Sequence, residues 1–218
     1  MFVATHRVHL VDLPGFGDAP APPADWDTVK YADLLEHWLR DRVRGSVVIV
    51  GHSFGGRVAV RLAARQLPQI TGVVLMGVPG LPASRFSKRA LRQRSIRSLR
   101  ELLRLLRSFT GPAPLDWHTH TFGSVDYLAA GDLRSLLVRT VNEDLTESAR
   151  AVRCPTLLLW GSEDVDAPLW LAYRYQSLMT GHATLEVLPH KDHHLYTGTG
   201  AHLCAFKIRS WLPAHADI

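Results

Sequence analysis

The chain has 218 residues, 46% of them hydrophobic and 21% charged, which excludes a disordered chain and suffices for one domain with a substantial core. No window reaches the length of a membrane span, residues 1–10 carry no leader pattern, and Cys154 and Cys204 lack a CxxC spacing, so a soluble, cytoplasmic protein with buried free thiols is expected. The net charge of +5 does not point to nucleic acid, because residues 85–107 hold nine Lys and Arg against one acid and leave the remainder at −3.

In chain order, residues 7–11 read as a short strand ending in the turn Asp12-Leu13-Pro14-Gly15-Phe16-Gly17, with a Pro-rich loop at 20–23. Residues 28–43 repeat apolar side chains (Val29, Leu34, Leu35, Trp38, Leu39, Val43) on one broad face, with Asp33, Glu36, Arg40 and Arg42 outside it, which predicts a helix ended by Gly45. Residues 47–50 are a buried strand that runs straight into Gly51-His52-Ser53-Phe54-Gly55-Gly56, and residues 57–67 repeat apolar positions as a helix does.

Ser53 therefore lies in a turn of almost no length between strand and helix, a nucleophile elbow. Such a turn strains the serine backbone and presses the helix on its strand, so Gly51 and Gly55, two before and two after, are expected to be obligatorily small. The helix N-terminus lies under the reacting carbonyl, and the Phe54 N–H is expected as one oxyanion donor. The glycine patterns of phosphate-binding loops are absent.

Pro68 stops the elbow helix, and residues 72–78 form another buried strand closed by Pro79-Gly80. This alternation predicts an α/β fold with a doubly wound, mostly parallel sheet and right-handed crossovers. The rhythm then breaks, and residues 81–150 read as a helical cap inserted into a core made of residues 1–80 and 151–218. Within the cap, Leu99, Leu102, Leu103 and Leu106 share a face, while Arg97, Arg100, Arg104 and Arg107 form another that reads as solvated; a second cap helix starts near Asp132 and ends near Asn142. Alternation resumes with a strand at 155–160, the turn Gly161-Ser162-Glu163-Asp164, a helix at about 168–179 and a strand at 184–188. The loop Pro189-His190-Lys191-Asp192-His193-His194 follows, and then a final helix at about 200–212 that packs Leu203, Phe206 and Trp211.

A serine nucleophile needs a base, and the base an orienting acid, both on loops at the carboxyl ends of the strands. Asp164 and His193 stand on two such loops and complete the chain order Ser, Asp, His. Glu163 or Asp166 could replace Asp164, and His194 could replace His193. A metal site built from His190, His193 and His194 is disfavoured, because the stretch follows a proline in a loop and no carboxylate motif accompanies it; no metal or cofactor is expected.

At these residues the chain resembles the alpha/beta-hydrolase family, over essentially its whole length. A Gly-His-Ser-x-Gly-Gly elbow, a Trp-Gly-x-x-Asp acid turn and a Pro-x-x-x-His base loop recur in that family, and Gly51 to Gly56, Trp160 to Asp164 and Pro189 to His193 match them. The resemblance implies nucleophile Ser53, acid Asp164 and base His193 in a serine hydrolase that cleaves a small carbonyl compound, whether ester, thioester, amide or carbon–carbon bond. It also implies that the 12–17 turn and the 81–150 insertion are the family's turn and lid. Relatives with haloalkane dehalogenase or epoxide hydrolase activity have Asp as nucleophile, so Ser53 argues against both.

The family begins with further strands, and a His-Gly loop after the third supplies the second oxyanion N–H, whereas this chain starts just before what resembles the fourth strand. Two outcomes are expected: either the strands at 7–11 and 47–50 close up and pair directly, or the chain is an N-terminally truncated form, weakly active or inactive. The rival function is a catalytically silent binding protein of the same fold. The implied partner is a small-molecule substrate, and the oligomeric state is open.

Overall fold

The computed structural model describes residues 2–82 and 134–212. Its elements are a 3-10 turn at Phe2–Ala4, then α1 (Thr28–Arg42), β1 (Val47–His52), α2 (Ser53–Ala63) and β2 (Ile70–Met76). After them come α3 (Arg134–Asn142), α4 (Thr146–Ala151), β3 (Thr156–Gly161), α5 (Trp170–Leu178), β4 (Ala183–Leu188) and α6 (Thr199–Trp211). The predicted cap residues 83–133, with their arginine-rich helix and the proposed cap at Asp132, lie outside the described residues. The predicted second cap helix corresponds to α3.

The four strands form one parallel sheet in the order β1-β2-β3-β4. Residues 73–76 of β2 and 157–160 of β3 are unbroken apolar runs because both faces of the sheet centre are covered. Along β2, Val73 and Leu75 face one core with Leu158 and Trp160 of β3, against Tyr31, Val58, Leu62 and Tyr175 of α1, α2 and α5. Val74, Met76, Leu157 and Leu159 point the opposite way, onto Cys204, Ile208 and Trp211 of α6. This period-two split is the geometry of a doubly wound sheet. Among the described residues, no helix is long and apolar enough to cross a membrane.

Three expectations are corrected. Residues 7–11 form no strand and do not pair with β1; His9 lies edge-on to Trp38 of α1 and Leu10 is 94% exposed. A strand gains its stability from a ladder and a covered face, and five residues with neither have nothing to hold them in a sheet. Among the described residues no strand pairs with the outer side of β1, and Val50 is 52% exposed there. The second small position of the elbow is also displaced: a Cβ on Gly55 would meet nothing within 4 Å, whereas one on Gly56 would strike the Val78 side chain. Gly51 behaves as expected, since its Cβ would lie 2.7 Å from the Gly55 carbonyl oxygen. Finally, Phe206 faces solvent; α6 buries Trp211 as expected, together with Cys204 and Ile208, and Leu203 packs against them.

Candidate active site

β1 delivers Ser53 to the carboxyl edge of the sheet, and α2 begins at the serine itself. With no linker between strand and helix, Ser53 takes the whole change of direction and adopts φ 48°, a left-handed conformation costly for a residue with a Cβ. The predicted strain is therefore present at the predicted residue. Phe54 is the second residue of α2, where backbone N–H groups have no carbonyl partner within the helix. Its ring packs 5.0 Å from Phe16 and 5.1 Å from Tyr31. The Tyr31 hydroxyl donates to the Pro14 carbonyl at 2.7 Å, so the 12–17 turn is tied to α1 and laid against the elbow. Burial pushes the Tyr31 hydroxyl up to about 12, which keeps it a donor at any working pH.

β3 and β4 end at the same edge, and their loops are stitched together. Ser162 N–H donates to the Leu188 carbonyl at 3.0 Å, Glu163 N–H to the Lys191 carbonyl at 2.9 Å, and His190 N–H to the Ser162 hydroxyl at 2.9 Å. Gly161 makes this approach possible, because a Cβ there would collide with the Lys191 and Asp192 carbonyls. Asp164 is fully buried at its side chain; its Oδ1 accepts from Ala167 N–H at 2.7 Å and its Oδ2 lies 2.9 Å from His193 Nδ1. The other imidazole nitrogen, Nε2, lies 3.0 Å from Ser53 Oγ. A carboxylate only accepts, so Nδ1 carries the proton, and Nε2 presents a lone pair to the serine hydroxyl.

Two of the alternatives fall elsewhere. Glu163 turns out to His190 at 3.1 Å, both largely exposed. His194 stacks beside His52 and Tyr196, and its backbone N–H donates to Asp192. The ligand atoms of His190, His193 and His194 do not converge; among the described residues one group does, Asp164, Asp166 and His193, and two of its three members already bind each other.

Two participants were missed in the sequence. Gly77, just beyond β2, has φ 51°, and a Cβ there would lie 2.9 Å from Asp164 Oδ2 and 3.1 Å from His193 Nδ1. A glycine closing an apolar strand was the available signal, since such positions mark close approach. His52, the residue before the serine, donates from Nε2 to the His193 carbonyl at 2.9 Å, a long-range contact with no local signature.

The sequence profile described as "Alpha/beta hydrolase family" matches residues 2–201. The chain belongs to the alpha/beta hydrolase family. Among curated relatives, this alpha/beta hydrolase is similar to Epoxide hydrolase 3 of Xenopus tropicalis, with 26% identity over 87% of this chain and 60% of that protein. It is also similar to Lipase LipV of Mycobacterium tuberculosis, 42% identical over 30% of this chain and 24% of the relative. The chain thus spans less than two thirds of the length of both. Among solved structures, a thermophilic esterase from Thermogutta terrifontis superposes with TM-score 0.62 at 22% identity, over 93% of this chain and 78% of that one, a likeness of fold.

Proposed function

We propose that this alpha/beta hydrolase is a serine hydrolase that cleaves a small carbonyl substrate through an acyl-enzyme. The observation that carries the reading is the continuous run Ser53 Oγ, His193, Asp164, with hydrogen bonds of 3.0 and 2.9 Å. Ser53 Oγ attacks the carbonyl carbon as its proton passes to His193 Nε2. Asp164 holds the tautomer that leaves Nε2 basic and stabilises the imidazolium once formed. The Phe54 N–H donates to the oxyanion, the imidazolium then protonates the leaving group, and water repeats the sequence on the acyl-serine. No cofactor takes part, the enzyme works as a soluble cytoplasmic protein, and residues 81–150 act as the lid that shapes the substrate pocket.

The relative named as an epoxide hydrolase does not extend that activity to this chain. A carboxylate that opens an epoxide forms an ester, which water can cleave, whereas an attacking Ser53 would form a stable ether and stop after one event. Serine chemistry turns over on carbonyl carbon, which favours esters, thioesters and amides.

The test is labelling with a fluorophosphonate probe followed by peptide mapping. The wild-type chain is expected to be labelled at Ser53, and the folded variants Ser53→Ala and His193→Ala to be unlabelled. A folded wild-type chain that takes no label, or takes it at another residue, would overturn the proposal in favour of a silent binding protein of the same fold.

A further inference from the structure

We infer that His52 is a positioning residue for the base, holding His193 by its backbone while the neighbouring Ser53 meets its ring. The inference rests on the serine-hydrolase reading and adds a residue that the reaction itself does not require. Two consecutive residues of the elbow contact one residue of the base loop: His52 Nε2–H donates to the His193 carbonyl at 2.9 Å, and Ser53 Oγ lies 3.0 Å from the His193 imidazole. A carbonyl only accepts, so His52 is the donor and its Nε2 is protonated.

The tie closes a gap that the sheet leaves open. β1 and β4 are at opposite ends of the strand order, so the serine and the base loop have β2 and β3 between them and share no ladder. The base loop itself is irregular, with His190 at φ 54°. A loop of this kind is set by its few cross-links, and a misplacement of about 1 Å at reacting groups costs on the order of a hundredfold in rate. The His52 ring is held by its neighbours, 4.7 Å from the His193 ring and 4.7 Å from the Tyr196 ring. Burial lowers its proton affinity, which favours the neutral imidazole with one committed donor.

The reach of the donor supplies the test. In Gln, as in His, the terminal nitrogen is three bonds beyond Cβ; in Asn it is two, and Phe has none. His52→Gln, His52→Asn and His52→Phe would be assayed for kcat and KM on p-nitrophenyl acetate and for the rate of fluorophosphonate labelling at Ser53, with a thermal melt for each. The Asn and Phe variants are expected to lose about ten- to a hundredfold in kcat and labelling rate with KM within about twofold, and Gln to recover to within about threefold of wild type. If Phe does not fold, the comparison of Gln with Asn decides alone. A wild-type chain labelled at Ser53 together with equal rates in Gln and Asn, or a loss confined to KM, would overturn the role of His52 and leave the serine reading standing. A folded wild-type chain without label would take down both.

Discussion

Glu163 and Asp164 are adjacent carboxylates with opposite surroundings, and the difference sets what each substitution does. Asp164 is fully buried at its side chain and spends both oxygens, on His193 and on Ala167 N–H, while Glu163 reaches a largely exposed His190. Asp164→Asn keeps the shape but offers an amide that favours the wrong imidazole tautomer, so kcat on p-nitrophenyl acetate is expected to fall by roughly 10⁴, the cost of that exchange in a Ser-His-Asp site. Glu163→Gln is expected to stay within about twofold, and an equal loss in both would move the acid away from Asp164. Gly77→Ala tests the floor of the site. Its φ of 51° disfavours a Cβ, and that Cβ would stand 2.9 Å from Asp164 Oδ2, so strain of about 1–3 kcal/mol falls on the Asp164–His193 pair. Its kcat is expected to drop more than its KM rises; unchanged kcat would mean that the pair tolerates displacement.

At the scale of elements, local chemistry explains where most of them start and stop. α1 begins at Thr28 because the Asp27 side chain accepts from the N–H groups of Val29 and Lys30, each at 3.0 Å. Asp27→Ala is expected to cost about 1 kcal/mol, seen as a lower urea midpoint at unchanged slope; no change would mean that water caps the helix equally well. The α1, β1, β2, β3 and β4 segments and α6 were legible because their signals, periodicity and terminating Gly or Pro, lie within the segment. Residues 7–11 had the same signal and formed no strand, since pairing depends on a neighbour far away in sequence. Gly55 and Gly56 were transposed in importance for a similar reason: which one meets Val78 depends on how α2 rolls against the segment that leaves β2.

Across the whole molecule, acid is expected to destabilise the fold in two steps. Burial lowers the His52 pKa below its usual 6.5, so as pH falls through that value the unfolded chain takes up a proton that the folded chain refuses. The unfolded state then binds more protons, so unfolding free energy rises with pH and is lost as pH falls. The stabilisation is complete above the unfolded value and lost on acidification. Glu36, held low chiefly by its hydrogen bond from Arg65, adds a loss of the same sign below its usual 4.5. Denaturant midpoints measured from about pH 7 to about pH 5 are expected to decline in wild type and to decline less in His52→Gln. Parallel profiles would show that His52 is not the group responsible.

The sequence by itself determined the parallel α/β class, the elbow and the chain order of serine, acid and base candidates. It could do so because apolar runs, turn residues and strand-end positions are local, and a parallel sheet brings all its carboxyl ends to one edge whatever lies between them. Only the tertiary structure decided that Asp164 and not Glu163 bonds His193, that His193 and not His194 faces Ser53, and that His52 and Gly77 belong to the same cluster. Those choices are made where the loops that follow β1, β2, β3 and β4 meet at one edge of the sheet. Neighbours in sequence such as Glu163 and Asp164 point in different directions, and the packing of distant loops selects the one that faces the imidazole.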